Sequence, residues 1–288
     1  MSKTTSSEKV SPTAYATGYF WYRHGMSHPA LATPQGKRLD RAFGVMIKGT
    51  RALSGVSLSA MMLARHKGID AVLTRAIEDG RISQIIEIAA GLSPRGLTFT
   101  RRYGDRITYL ETDLPAMAAT KRNLLDKAGL LSDHHRVIEL DALKDSGAQS
   151  LAQIVKQLDP RRGTAIITEG LMNYLDPASA KGVWRRISKN LGKFPQGVYL
   201  ADVYLRPEQA SAAMIAFGAM LSAFVRRRMH VHFRTPEDAA AAMYAAGFKS
   251  SRLHKTSSLP ETRDLSRTPG GDRVHVLEAR TSKRQRAS

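Results

Sequence analysis

The sequence predicts a doubly wound α/β fold: a mostly parallel seven-stranded sheet with an N-terminal helical part and a helical cap insertion. Three observations predict it. Short apolar runs alternate with helical stretches from residue 82 to residue 202, and such alternation builds βαβ units whose crossovers leave the strands parallel. Two further strand-like runs close the chain. Residues 13–80 carry helical patterns only.

The elements follow in order. Residues 15–54 read as helical pieces broken at His28-Pro29 and Thr33-Pro34, because the residue before proline leaves the helical region. Residues 57–79 read as one amphipathic helix, with Leu58, Met61, Met62, Ile69, Val72, Leu73 and Ile77 near helical spacing and Gly80 at its C-cap. The strand runs are 82–89, 107–111, 137–140, 165–168 and 197–202, and the helices between them include 115–128, 151–158 and 177–191. After these come helices over 208–228 and 236–246 and strands over 248–254 and 273–280. The expected organisation is a disordered tail over 1–12, a single domain over 13–280 and a basic disordered tail over 281–288, with the cap insertion at 204–235.

Composition narrows the function. The 288 residues are 42% hydrophobic, enough for one large core. There is no cysteine, so disulfides and thiolate metal sites are excluded, and no metal is expected. The polar N-terminus lacks a signal-peptide core, and the longest apolar run, 212–225, is short for a bilayer and contains Gly218. A cytoplasmic protein without a membrane span is expected. The net charge of +19 raises nucleic acid, anionic lipid or an acidic substrate as partners. Its basic residues are dispersed, though, and charge also maintains solubility.

Ligands of an open α/β sheet bind beyond the carboxyl ends of its strands. The first run ends Glu87-Ile88-Ala89-Ala90-Gly91-Leu92-Ser93-Pro94-Arg95: an acid, small residues that admit a ligand to the backbone, then a helix start whose N–H groups suit an anion. An ordinary strand-to-helix turn reads the same way. The second run ends Glu111-Thr112-Asp113-Leu114-Pro115, and an acid about 20 residues beyond the glycine suits a ribose diol. Asp113 also suits a cap for the helix at Pro115. The third ends Glu139-Leu140-Asp141-Ala142, where an acid can accept from an adenine amine or cap a helix. The fourth ends Thr168-Glu169-Gly170-Leu171-Met172-Asn173-Tyr174-Leu175. Acids at successive strand ends predict a ligand with hydroxyls, an amine and a positive charge.

The segments 87–95, 109–121 and 169–175, in this order and spacing, resemble the leucine carboxyl methyltransferase family, nearest its bacterial polyketide O-methyltransferases of the tetracenomycin type. The resemblance runs over roughly 15–191. It implies a class I, Rossmann-like methyltransferase with S-adenosyl-L-methionine as cofactor. It implies Gly91 beneath the methionine part, Arg95 on its carboxylate, Asp113 on the ribose, Asp141 and Ala142 flanking the adenine, and Glu169 facing the amino group or sulfonium. Glu87 belongs to the same cofactor segment, and Arg23 resembles an N-terminal arginine that reaches the cofactor or substrate carboxylate. Ala89 stands where the family usually has glycine, and Ser93-Pro94 where Asp-Thr is usual.

The expected activity is O-methylation of a carboxylate or phenolic hydroxyl on a small molecule, a polyketide-type metabolite among them, by a monomer or homodimer. Methyl transfer needs alignment and exclusion of water. A carboxylate acceptor needs an arginine to orient it, and a phenol gains from a base such as histidine. Arg23, Tyr19 and His24 are the first candidates for those tasks. Tyr22 and His28 nearby, and Arg228, His230, His232 and Arg234 after the cap, are further ones. The apolar residues of 214–224 suit a substrate lid, plain core, a dimer surface or a membrane contact. Two rival functions remain: a nucleic-acid methyltransferase, suggested by the charge, and a non-catalytic Rossmann-like binding module.

Overall fold

The computed structural model describes residues 12–206 and 229–282. The expected cap helix over 208–228 and both expected tails lie outside the described residues, apart from the tail boundary positions at 12, 281 and 282.

Three helices lead the chain: α1 (Pro12–Arg23), α2 (Pro34–Ser54) and α3 (Leu58–Glu78). The sequence places their ends through short side-chain caps. Thr33 accepts from the Gly36 N–H at 3.0 Å, with Pro34 in the first turn of α2. Ser57 accepts from the Ala60 N–H at 3.2 Å, and Gly80, φ +70°, follows the end of α3. The alternating part is β1 (Gln84–Ile88), α4 (Arg95–Tyr103), β2 (Thr108–Asp113), α5 (Pro115–Asp126), β3 (His135–Glu139), α6 (Leu151–Ile154), β4 (Thr164–Thr168), α7 (Pro177–Leu191) and β5 (Gly197–Tyr204). After the undescribed segment come α8 (Pro236–Ala245), β6 (Ser250–Lys255), α9 (Arg263–Ser266) and β7 (Val274–Arg280). Proline in the first turn begins α2, α5, α7 and α8, where its missing N–H costs nothing.

The seven strands form one sheet in the order β3-β2-β1-β4-β5-β7-β6. Pairs from β3 to β5 are parallel, and β7 runs antiparallel to both neighbours. Alternate residues serve opposite faces, so the central strands are apolar on both sides. Ile85, Tyr109, Ala165, Ile167, Val198 and Leu200 meet α3 and α4 through Ile69, Leu73 and Phe99. Ile86, Leu110, Ile166, Tyr199 and Ala201 meet α6, α7 and α8 through Leu151, Ile154, Trp184, Ile187 and Met243. This is the expected doubly wound, mostly parallel sheet.

Three local expectations change. The helix read over 151–158 is four α-residues followed by a 3-10 turn at Val155–Gln157. Asp113 does not cap α5: the cap position is Leu114, without a side-chain bond. At the start of α4 two of the N–H groups are already bonded, since Ser93 Oγ accepts from the Arg95 N–H at 3.3 Å and Glu111 Oε1 from the Gly96 N–H at 3.2 Å.

Candidate functional site

The strand order reverses between β1 and β4, and ligands of open α/β sheets bind beyond the carboxyl ends of the strands at such a point. The register sets Ile88 level with Thr112 and Thr168, and Thr168 level with Ala201. Asp113, Ala89, Glu169 and Asp202 are therefore the neighbouring residues at one sheet edge. Asp141 and Ala142 follow β3 on the same edge, with the Leu140 N–H bonded to Asp113 O at 2.8 Å and Asp141 Oδ1 closing a turn on the Leu143 N–H at 3.0 Å.

The β1 turn is built for close approach. Ala89 at φ +56° is the only non-glycine residue with positive φ among the described residues, and Gly91 has φ +50°. A Cβ on Gly91 would stand 3.3 Å from Ala14 Cβ, so α1 roofs the turn. Asp113 locks the turn from the side: Oδ2 accepts from the Gly91 N–H and Oδ1 from the Leu114 N–H, each at 2.8 Å. Burial raises the Asp113 pKa, against the two backbone donors that lower it. From below, Lys121 donates to Ser93 O at 2.7 Å and pairs with Glu111 at 2.9 Å, both side chains buried.

Beyond the turn lies a dense ionic cluster. Arg95, with 0% of its side chain exposed, reaches Asp70 at 2.5 Å, Glu87 at 2.6 Å and Glu169 at 2.5 Å. Tyr109 donates its hydroxyl to the other Glu87 oxygen at 2.7 Å. Arg65, 17% exposed, donates to Glu169 at 2.9 Å and stands 3.8 Å from Asp202. His66 Nδ1 lies 2.8 Å from Glu169, and Trp21 of α1 stacks on its ring at 4.4 Å. Burial alone would raise the Glu169 pKa, but His66, Arg95 and Arg65 hold it well below the carboxylate range. Asp202 is raised by burial against the pull of Arg65.

The structure thus gathers Glu87, Gly91, Arg95, Asp113 and Glu169 at the carboxyl edge of β1, β2 and β4, with Asp141 and Ala142 following β3 on the same edge. It does not bring Arg23, Tyr19 and His24 there. Arg23 makes a forked pair with Asp40 of α2, at 3.0 and 3.3 Å, and lies over the Phe20 ring. Tyr19 sits against Tyr22, and His24 against Phe20. The α1 residues that face inward are Ala16, Gly18, Phe20 and Trp21. Sequence reasoning missed Arg65, His66, Lys121 and Asp202. Asp202 was within reach, as an acid near the end of the fifth strand run. Arg65 and His66 carried no signal, since two polar residues on an amphipathic helix read as its solvent face.

Asp202 also walls a second feature. A small recess, with room for about one water molecule, lies against β5, bounded by Asn173, Trp184, Tyr199, Asp202, His232 and Phe233 among others. His232 Nε2 lies 2.8 Å from Met172 O, and the His230 N–H bonds Asn173 O at 2.7 Å.

The donor set suits a cationic ligand. Four carboxylates, Asp70, Glu87, Glu169 and Asp202, share the cluster with two guanidinium groups, Arg65 and Arg95, and the imidazole of His66. Asp202 Oδ2 is buried without a hydrogen bond.

The leucine carboxyl methyltransferase family model matches residues 29–188, more than half of the chain. No curated protein matches. Among solved structures, the chain resembles a DUF574-family protein from Streptomyces avermitilis MA-4680 at 16% identity and a TM-score of 0.63, covering 93% of this chain and 97% of that one. It resembles a candidate methyltransferase from Thermobifida fusca YX at 16% identity and a TM-score of 0.61, covering 85% and 89%. Against PigF, solved with S-adenosylhomocysteine, 70% of this chain is covered at 16% identity and a TM-score of 0.47, and it spans about half of that protein, 51%. These likenesses concern the fold. Among the described residues no helix is long and apolar enough to cross a membrane.

Proposed function

This chain belongs to the leucine carboxyl methyltransferase family, a family of S-adenosylmethionine-dependent methyltransferases, and from that premise we propose that it is an O-methyltransferase acting on a small molecule. The acceptor group is a carboxylate or a phenolic hydroxyl, on a polyketide-type metabolite in the finest form of this reading. One observation supports it most: the acid-rich cluster at the β1–β4 reversal, where carboxylates outnumber guanidinium groups.

S-adenosylmethionine, when bound, supplies a methyl group already activated by sulfonium. The chain's own residues bind, orient and exclude water. Gly91 and the turn before it let the backbone approach the methionine part. Asp113, fixed by two backbone N–H groups, keeps lone pairs for the ribose hydroxyls. Asp141 and Ala142 stand at the adenine end. Glu169 and Asp202 offer carboxylate oxygens to an ammonium. Of the two arginines, Arg65 retains exposed surface for a carboxylate, whereas Arg95 is enclosed. In this reading Glu87 and Arg95 hold Glu169 in place. Tyr19 and His24 carry no substrate contact, and Arg23 positions α1 through Asp40. Trp21 and the rest of α1 shield the cluster from water.

The test is transfer of label from methyl-labelled S-adenosylmethionine to a panel of small aromatic acids, aliphatic acids, phenols and, separately, RNA and DNA. The expected result is label in the small-molecule fraction, lost in Asp113→Ala. Label released by mild base marks an ester, and label that resists base marks an ether. Label confined to nucleic acid contradicts the proposal.

A further inference from the structure

We propose that Asp202 is the residue by which the site tells the sulfonium cofactor from its spent thioether, S-adenosylhomocysteine, so that the product is held more weakly than the methyl donor. This rests on the methyltransferase reading above.

Placement is the first argument. Thr168 pairs with Ala201 in the β4–β5 register, so Glu169 and Asp202 leave adjacent strands side by side. Asp202 is 4% exposed. Its Oδ1 accepts from the Gly170 N–H at 2.8 Å, which ties the carboxylate to the turn that carries Glu169. Its Oδ2 is buried, makes no hydrogen bond among the described residues and stands 3.8 Å from Arg65. Arg65 is shared, since it also donates to Glu169 at 2.9 Å. A buried carboxylate with one unbonded oxygen and a shared, distant partner is stabilised by any further positive charge brought near it.

The charge count is the second argument. Asp70, Glu87, Glu169 and Asp202 share the cluster with three basic side chains, Arg65, His66 and Arg95. Carboxylates therefore outnumber cations whatever the state of the imidazole. In the proposed reading Arg65 serves the methionine carboxylate and Glu169 the ammonium. Asp202 then shares its one cation with the ligand. S-adenosylmethionine brings a second positive charge, the sulfonium, and S-adenosylhomocysteine does not. The two ligands have the carboxylate, ammonium, ribose and adenine in common, so contacts to those groups do not separate them. The charge on sulfur does, in a cluster shielded by Trp21 where salt screens little.

The consequence is directional. As the methyl group leaves, the carbon–sulfur pair stays on sulfur, the sulfonium becomes a neutral thioether, and its attraction to Asp202 ends. Transfer itself thus weakens the hold on the spent cofactor, and release of product is a step that sets the turnover of many enzymes.

The test is isothermal titration of the full chain with S-adenosylmethionine, S-adenosylhomocysteine and sinefungin, an analogue with an ammonium in place of the methylsulfonium. The expected result is that both cationic ligands bind roughly tenfold tighter than S-adenosylhomocysteine, the size of one charge pair acting across several ångströms of protein. Asp202→Asn keeps an oxygen for the Gly170 N–H and loses the charge. In that variant, its fold checked by its melting midpoint, the ratio of the two affinities is expected to fall to about threefold or less. Asp113→Ala is expected to weaken all three ligands alike, because the ribose is common to them. Failure of all three to bind folded wild-type chain removes the methyltransferase reading and the proposal with it. Three outcomes overturn the proposal and leave that reading standing: S-adenosylhomocysteine binding as tightly as S-adenosylmethionine, sinefungin binding as weakly as S-adenosylhomocysteine, or an unchanged ratio in folded Asp202→Asn. The first two are read on the wild-type chain and do not depend on a variant.

Discussion

At Ala89 one side chain sits in a backbone region that suits glycine, with φ +56°. The methyl costs roughly 1 kcal/mol there, less what a glycine would lose in chain entropy. Ala89→Gly is therefore expected to raise the free energy of unfolding by up to about 1 kcal/mol, read from the urea midpoint at constant m-value. An unchanged or lower midpoint contradicts a strained Ala89. The same scale explains what sequence could disclose of the site. Asp113 and Glu169 were legible because strand ends and a resemblance both pointed at them. The network around Arg95 was not, since Asp70, His66 and Glu87 come from a helix and a strand that folding brings together. Arg23 looked like a ligand-reaching arginine in the sequence, and only the forked bond to Asp40 reveals its tie to α2.

At the scale of elements, α1 is the piece that roofs the β1 turn, and it is seated by small residues. A Cβ on Gly18 would stand 2.6 Å from Leu92 Cβ in the β1–α4 turn, nearer than side chains tolerate. Gly44 in α2 has nothing within 4 Å of the same position. Alanine in a helix interior gains about 0.5–1 kcal/mol over glycine. Gly44→Ala is accordingly expected to stabilise by about that amount. Gly18→Ala is expected to destabilise and to weaken S-adenosylmethionine binding, because α1 must lift from the turn. Equal effects of the two substitutions, in unfolding and in titration, would contradict α1 as a roof. Element boundaries were legible where prolines and caps mark them, as at Pro34, Ser57 and Pro177. The 95–103 helix was read only as a helix start, because arginines and threonines obscure its apolar stripe. The short helical turns across 256–273 carry no periodic signal at all.

For the whole molecule, charge and site differ in sign. The chain carries +19, yet the edge at the sheet's reversal point gathers more carboxylates than arginines. In the proposed reading the site takes a cationic ligand through buried groups that salt screens little. The dispersed surface charge favours any polyanion, weakly and in a salt-dependent way. The doubly wound fold was legible because each level agreed: apolar runs, helix starts and strand-end acids describe the same topology. The packing of His232 was not, since it joins the fourth strand's exit to a segment some sixty residues later in the chain, a pairing fixed by the Met172–His232 contact.

The central claim is that the carboxyl edge at the β1–β4 reversal holds S-adenosylmethionine. Isothermal titration of the full chain with S-adenosylmethionine, and separately with NAD, tests it most directly. Micromolar binding of S-adenosylmethionine, lost in folded Asp113→Ala, is expected, with no binding of NAD. Folded protein that binds NAD, or that binds S-adenosylmethionine equally well with and without Asp113, would contradict it.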